Sequence, residues 1–232
     1  MLTGTYTGET ISAQLLPSGK IFIASGGSAS NLFGTIVSIN GTTISQDKTA
    51  TLVSDSTAFG WENIETALLG DNTVFITHNY DTGYQLYGIV CTISGTTVTV
   101  GTDTALCTTN YSSASSIVPL GNDKVFITHA QKSSDYYHLY GMVCTVSGTT
   151  ISKGGNTKLN GGNSCGNSST VAINNEKVFI AYGNGSYLCG MVCKIDGATI
   201  TAGTATSLNT NEYTGYLISA LLLEDNVFIG HK

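Results

Sequence analysis

A segment of about fifty residues recurs along this chain, and that recurrence restricts the possible folds more than any other feature. Residues 125–151 read VFITHAQKSSDYYHLYGMVCTVSGTTI. Residues 74–98 read VFITHNYDTGYQLYGIVCTISGTTV, residues 178–200 VFIAYGNGSYLCGMVCKIDGATI, and residues 21–44 IFIASGGSASNLFGTIVSINGTTI. A fifth copy begins at 227–232 with VFIGHK. The phenylalanine of the motif sets the register at Phe22, Phe75, Phe126, Phe179 and Phe228, with spacings of 53, 51, 53 and 49 residues. A unit of this size cannot bury its apolar face alone, so successive copies stack to build a continuous core.

Each full copy offers four short β-type runs, here named a to d. Run a is short and apolar (11–16, 64–69, 115–120, 168–173 and 218–223). A tight turn rich in Gly, Asn and Asp follows it, as hairpins with positive φ require. Run b is the VFI segment. A variable stretch leads to run c, which alternates with period two: Tyr87, Ile89, Cys91 and Ile93 share one face, and Gly88, Val90 and Thr92 the other. Ser-Gly, Asn-Gly or Asp-Gly then turns the chain into run d, such as 96–106, whose Thr and Gly content suits an outer edge strand. Gly and β-branched residues interrupt every window long enough for a helix. Four antiparallel strands per unit of about fifty residues predict an all-β fold, a β-propeller of four-stranded blades. A β-helix would need shorter coils, and an immunoglobulin-like array longer units.

The blades are expected at 11–53, 62–106, 115–159 and 168–208, within a single propeller domain over 1–232. Runs a and b occur five times but c and d only four, so the fifth blade is incomplete at 217–232. Residues 1–7 are candidates for its outer strand, because Leu2 aligns with Leu52, Leu106, Leu159 and Leu208. A neighbouring subunit could complete it instead, or the chain could be part of a longer array. The sequence leaves these open.

Strands that alternate up and down place the a–b and c–d turns at one end of each blade and the b–c and d–a loops at the other. The turns are nearly uniform, and the loops differ in length and content. Loops that diverge between similar copies are where binding residues sit. Aromatic residues concentrate there: Trp61, Tyr80, Tyr84, Tyr111, Tyr136, Tyr137, Tyr187, Tyr213 and Tyr216. Rings flanked by Asn, Asp and Ser suit stacking on sugars or contact with a protein surface. Filling gaps between blades is the structural reading of the same rings.

His78, His129 and His231 share one repeat position just after the VFI run, where Ser25 and Tyr182 stand in the other copies. His78 and His129 join the candidate ligand-binding set. Hydrogen bonding at a strand end is the alternative, and Ser and Tyr at the same position argue against a metal ring. Cys91, Cys144 and Cys193 are also equivalent, with Val37 in the first copy, which marks a small buried hydrophobe. Cys189 and Cys193 lie four residues apart on one run, about 13 Å by strand rise, too far for a disulfide. Cys107, Cys165 and Cys189 fall outside the repeat, and no spacing dictates a pairing. A propeller glycosidase needs two or three acids converging on the inner strands. Only Glu65 lies within an inner run, and there is no nucleophile–base spacing or phosphate loop. The expectation is no catalytic residue, no metal and no cofactor.

Charge and hydropathy exclude further classes. Only 10% of the 232 residues are charged, the net charge is −6, and no Lys/Arg run exists to neutralise phosphates, which argues against nucleic acid. No apolar run approaches a membrane span. MLTGTYTGET has neither the basic nor the apolar region of a secretory leader. If it is the native start, the chain does not leave by the general secretory route: the expectation is a virion or extracellular surface protein released without a signal peptide, as by lysis, and a stably cytoplasmic protein fits the same observation.

The pattern KVFITH…LYGMVCTVSGTTISKGG…TKL resembles tandem repeats found in tail-fibre and other tail-associated proteins of phages and prophages of Gram-positive gut bacteria. The resemblance covers nearly the whole chain and carries no catalytic motif. It implies a virion component that binds a host surface, with a cell-surface glycan or a protein receptor as partner. A small propeller of such blades is also similar in outline to five-bladed lectins, whose sugar-binding residues have no residue-by-residue match here. The functional expectation is a non-enzymatic, multivalent recognition propeller. The alternative is a structural assembly module of a virion or surface complex, a homo-oligomer or larger assembly completed by neighbouring subunits.

Overall fold

In the computed structural model, residues 10–27, 31–54, 61–80, 85–108, 112–133, 135–160, 165–209, 218–224 and 226–231 are described. All regular structure among them is strand. The first sheet is β1 (Ile11–Leu15), β2 (Ile21–Gly26), β3 (Asn31–Asn40) and β4 (Thr43–Ser54). The second is β5 (Trp61–Leu69), β6 (Thr73–Tyr80), β7 (Gln85–Ser94), β8 (Thr97–Val100) and β9 (Thr104–Cys107). The third is β10 (Ser112–Gly121), β11 (Lys124–Ser133), β12 (Tyr136–Ser147), β13 (Thr150–Lys153) and β14 (Thr157–Lys158). The fourth is β15 (Cys165–Asn174), β16 (Lys177–Asn184), β17 (Tyr187–Asp196), β18 (Thr199–Ala202) and β19 (Thr206–Ser207). β20 (Ile218–Leu223) and β21 (Asn226–His231) form a two-stranded fifth. Strands pair in chain order, and in sheets two to four the last short strand pairs back on the third. These are antiparallel propeller blades: among the described residues four have all four strands and a fifth shows its a and b strands, and residues 1–7, the candidates for its outer strand, lie outside the described residues.

The turns obey the chemistry expected of them. Gly41, Gly95, Gly148 and Gly197 carry φ of 59° to 62° at the four c–d hairpins, a conformation that costs any residue with a Cβ. The outer run deviates from expectation. In blades two to four it breaks into two pieces around Gly101, Gly154 and Gly203, whose N–H groups donate to the carbonyls of Val90, Val143 and Val192. A Cβ on Gly203 would lie 2.5 Å from the Val192 oxygen. Blade one has a register shift at the corresponding place. There the Asp47 carboxylate accepts from Ser38 Oγ at 2.6 Å and pairs with Lys20, contacts that hold its carboxyl below the usual range.

Inner strands also start earlier than the sequence pattern indicates. β5, β10 and β15 begin three residues upstream, through a bulge. Asn63 takes φ of 54° within the first of these, as an Asn can. This extension moves Trp61 and Cys165 out of the d–a loops and into strands.

One packing motif recurs in every complete blade. The Phe of strand b lies over a Gly of strand c, and a Leu from the end of run d closes on both. A Cβ on Gly34, Gly88, Gly141 or Gly190 would come within 2.8–3.1 Å of Phe22 and Leu52, Phe75 and Leu106, Phe126 and Leu159, or Phe179 and Leu208 respectively. Gly thus serves here as the floor of a seat for an aromatic ring.

The chain divides into two compact units, Met1–Thr108 with Val146–Ser152, and Thr109–Thr145 with Lys153–Lys232. In the first, the face of blade one that carries Phe22, Ile36 and Leu52 packs on the face of blade two that carries Val74, Ile76, Ile89, Cys91 and Ile93. In the second, Phe126, Val143 and Leu159 of blade three pack likewise on Val178, Ile180, Met191, Cys193 and Ile200 of blade four. Each complete blade therefore has a Phe face and a Val face, and within each unit the Phe face of the first complete blade meets the Val face of the second. Cys91, Cys144 and Cys193 are fully buried, as their equivalence with Val37 predicts. Burial pushes the Cys91 and Cys144 thiols up to about 12 and Cys193 to about 11, so they are inert at neutral pH. All six cysteines are free thiols.

Candidate functional site

Within each blade, the described candidate residues lie near the passage from strand b to strand c, and the local structure there is ordered from the inside out. In blade two, His78 on β6 lies directly across from Tyr87 on β7, the two rings stacked at 5.8 Å and 17°. His78 Nε2 lies 3.0 Å from Asp103 Oδ1, in the break between β8 and β9. Tyr87 donates its hydroxyl to Gln85 Oε1 at 3.1 Å. Gln85 in turn receives Asn79 Nδ2 on its carbonyl at 3.2 Å.

Blade three repeats the arrangement with one exchange. His129 on β11 faces Tyr140 on β12, stacked at 5.8 Å and 23°. Asn156 stands where Asp103 does, and its Oδ1 is 2.9 Å from His129 Nε2. Asn156 Nδ2 donates to Gln131 at 2.7 Å, which fixes Oδ1 as an acceptor and puts the imidazole proton on Nε2. Nδ1 then accepts from Ser112 Oγ at 2.7 Å. Both ring nitrogens of His129 are thus engaged, and burial lowers its pKa to about 4. The ring is neutral at physiological pH. In blade four Tyr182 replaces the histidine and Ala205 replaces the Asp or Asn. The Tyr182 hydroxyl instead faces the Asn160 amide, and burial among Cys189, Cys165 and Cys193 raises its pKa to about 12.

These contacts show what the histidines do locally. Each ties strand b to the break in the outer strand. His78 and His129 are 0% exposed and lie within strands rather than after them. The structure therefore sets them behind the surface rather than on it. A sequence signal for this was present. Asp103 and Asn156 accompany the two histidines, and Ala205 accompanies Tyr182.

The aromatic candidates separate into three groups. Tyr136 and Tyr187 stand half exposed, at 51% and 52%, at the first residues of β12 and β17. Tyr137 is partly buried on the opposite face of β12 from Tyr136. All three lie on strand ends, one step inside the loops assigned to them. Trp61 and Tyr80 are backbone partners across β5 and β6, again in strands and not in loops. Tyr84, Tyr111, Tyr213 and Tyr216 lie outside the described residues. His231 is exposed on β21. Glu65 is exposed on β5, and among the described residues no three His, Cys, Asp or Glu side chains gather as a metal site.

No family model and no curated protein sequence matches this chain. Its fold does match solved structures. It superposes on AofleA from Arthrobotrys oligospora with a TM-score of 0.63 at 14% identity, over 94% of this chain and 61% of that one. It is similar to a protein of unknown function from Dyadobacter fermentans, with a TM-score of 0.62 at 15% identity, over 98% and 77%. It is also similar to the Aleuria aurantia lectin AAL, in a mutant form bound to Fucα1-6GlcNAc, with a TM-score of 0.56 at 11% identity, over 95% and 77%. The chain thus spans less than two thirds of AofleA and about three quarters of the other two. Identities this low establish a shared β-propeller fold.

Proposed function

We propose that this chain is a non-catalytic carbohydrate-recognition propeller that uses the b–c ends of its blades, as a receptor-binding component of a phage tail. The observation that carries the reading is the division of labour at those ends. The groups capable of acid–base or metal chemistry, His78 and His129, are sealed inside. Tyr136 and Tyr187 present rings to solvent beside polar neighbours, the combination that stacks on the apolar face of a sugar ring. The shared fold with a lectin bound to a fucosyl disaccharide supports glycan as the ligand class, and the tandem repeat resemblance supports the phage setting. The starts of strand c in blades three and four offer separate weak sites, and affinity for a surface then comes from their multiplicity.

A glycan array that includes Fucα1-6GlcNAc, followed by calorimetry on the best ligand, tests this. Tyr136→Ala and Tyr187→Ala each remove one stacking platform, so each should lower retention on the glycan surface while leaving the melting temperature unchanged. A wild-type chain that retains no glycan on the array would sink the proposal.

A further inference from the structure

Where blade three meets blade four, a cleft of about 260 Å³ opens between the a–b turn of blade three and the a–b and c–d turns of blade four. It lies within one compact unit, at the end of these blades opposite Tyr136 and Tyr187. Leu120 and Ile195, 1% and 4% exposed, give it an apolar floor. Lys124 of blade three lines it half-buried, and Glu176 and Asp196 of blade four line it exposed. Among the described residues, none of these three charged side chains has a hydrogen-bond or ion-pair partner.

The walls are held in place without those charges. Ser116 Oγ accepts from the Thr170 N–H at 3.0 Å, which clasps the inner strands of the two blades. At the turns, a Cβ on Gly121 would come within 3.0 Å of the Asn175 amide, so the two a–b turns are in contact. The Glu176 carbonyl accepts from the Ile195 N–H at 2.7 Å and ties its turn to the third strand of blade four. The cleft is thus formed before any ligand arrives, as sites for small molecules usually are.

The repeat supplies an internal comparison. Where blade one meets blade two, Ser12 Oγ accepts from the Thr66 N–H at 3.1 Å, and Leu16 and Ile93 take the places of Leu120 and Ile195. Lys20, the equivalent of Lys124, turns back into its own blade, to Ser38 Oγ at 3.0 Å and to the Asp47 carboxylate. The outer run of blade one reads TISQDKT over 43–49, but blade three reads TISKGGN over 150–156 and offers its lysine no acid. Asn72 and Ser94 stand at the places of Glu176 and Asp196, and Asp71 at that of Asn175. The same joint therefore closes with its lysine engaged elsewhere and with neutral residues at both of those acidic places. Packing does not require the three unpaired charges of the cleft.

We propose that this cleft binds a small zwitterion, an amino acid with an aliphatic side chain. Its carboxylate meets Lys124, its ammonium meets Glu176 and Asp196, and its alkyl group lies on Leu120 and Ile195. A ligand of one sign leaves part of the site unmet, whereas one of both signs engages all three groups through charge-assisted hydrogen bonds. The volume falls just below the range of about 300–1,000 Å³ that serves drug-sized ligands, which suits a molecule of this size. The cleft is separate from the tyrosines, so this proposal and the glycan reading stand or fall independently.

Titration of the isotope-labelled full chain, followed by backbone amide NMR, tests it. The probes are L-alanine, L-valine and L-leucine, with N-acetyl-L-leucine and L-leucine amide as forms that keep only one charge, as the two ends of a peptide do. At least L-leucine should shift the amides of Gly121, Glu176 and Gly197 at millimolar concentration, and each blocked form should bind about tenfold more weakly. Lys124→Gln should weaken L-leucine and N-acetyl-L-leucine but not L-leucine amide. Glu176→Gln should weaken L-leucine and L-leucine amide but not N-acetyl-L-leucine. Both variants change side chains that have no partner, so their melting temperatures should match the wild type. The proposal is overturned if no amino acid shifts these turns, if the blocked forms bind as well as L-leucine, or if either folded variant binds L-leucine like the wild type.

Discussion

At the scale of single residues, His129 sets a pH window. Its folded pKa of about 4 lies below the usual value near 6.5. Between those values the unfolded chain binds the proton and the folded chain does not, so stability rises with pH through that interval. The contribution is present above about pH 6.5 and is lost as pH falls toward 4, on the order of 3 kcal/mol in all. Urea unfolding at pH 7 and pH 4.5 should show this loss, and His129→Gln should be less stable at pH 7 but nearly flat across the same window. Gly141 offers a different kind of test. A Cβ there would stand 3.0 Å from both Leu159 and Phe126, so Gly141→Ala overpacks a closed seat and should cost about 1–3 kcal/mol in the same measurement. The histidine's place was half legible in the sequence. Equivalence with Ser25 and Tyr182 argued against a metal ring, but the partners Asp103 and Asn156 lie some 25 residues downstream. Their link to the ring emerges only once the outer strand folds back beside strand c.

At the scale of elements, the same phenylalanine has opposite importance in different blades. Phe126 is fully buried, and Phe126→Ala should cost about 3–5 kcal/mol. Phe228, mostly exposed, should cost no more than about 0.5 kcal/mol on the same change in dilute solution. Chemical denaturation of both variants checks the contrast, and similar losses would contradict the exposure of the fifth blade. Strand order and the hairpin turns were legible, because period two and Asn-Gly or Ser-Gly turns are local signals. The bulges that lengthen β5, β10 and β15 were not. Trp61 is separated from the apolar run by Glu62 and Asn63, and Cys165 by Gly166 and Asn167, so nothing local marks them as strand. Their pairing is decided by β6 and β16 across the sheet. The break in the outer strand was missed for a similar reason. Gly101, Gly154 and Gly203 read as ordinary flexible positions until the Val90, Val143 and Val192 carbonyls stand against them.

At the scale of the whole molecule, the proposed recognition surface and the joints between blades lie on different parts of the blade. The b–c ends carry the exposed Tyr136 and Tyr187, and the joints carry buried residues. Changing Tyr136 and Tyr187 together to Ala should shorten residence on a glycan-coated surface more than either change alone, because separate weak sites act together on such a surface. Surface plasmon resonance on such a coating reads the change, and equal residence times for the double and single variants would show that the two tyrosines do not act as separate sites. The joint between blades has a consequence for how such a chain changes over generations. Ser12 Oγ accepts from the Thr66 N–H, Ser116 Oγ from the Thr170 N–H and Ser169 Oγ from the Ala220 N–H, each one repeat ahead at the same backbone position, whereas Glu65 stands at the serine's place in the second repeat. Each Phe–Gly–Leu seat closes inside its own repeat. Removing or duplicating a repeat that carries the serine would therefore create no unfamiliar junction. Lineages can vary in steps of about fifty residues without reinventing an interface.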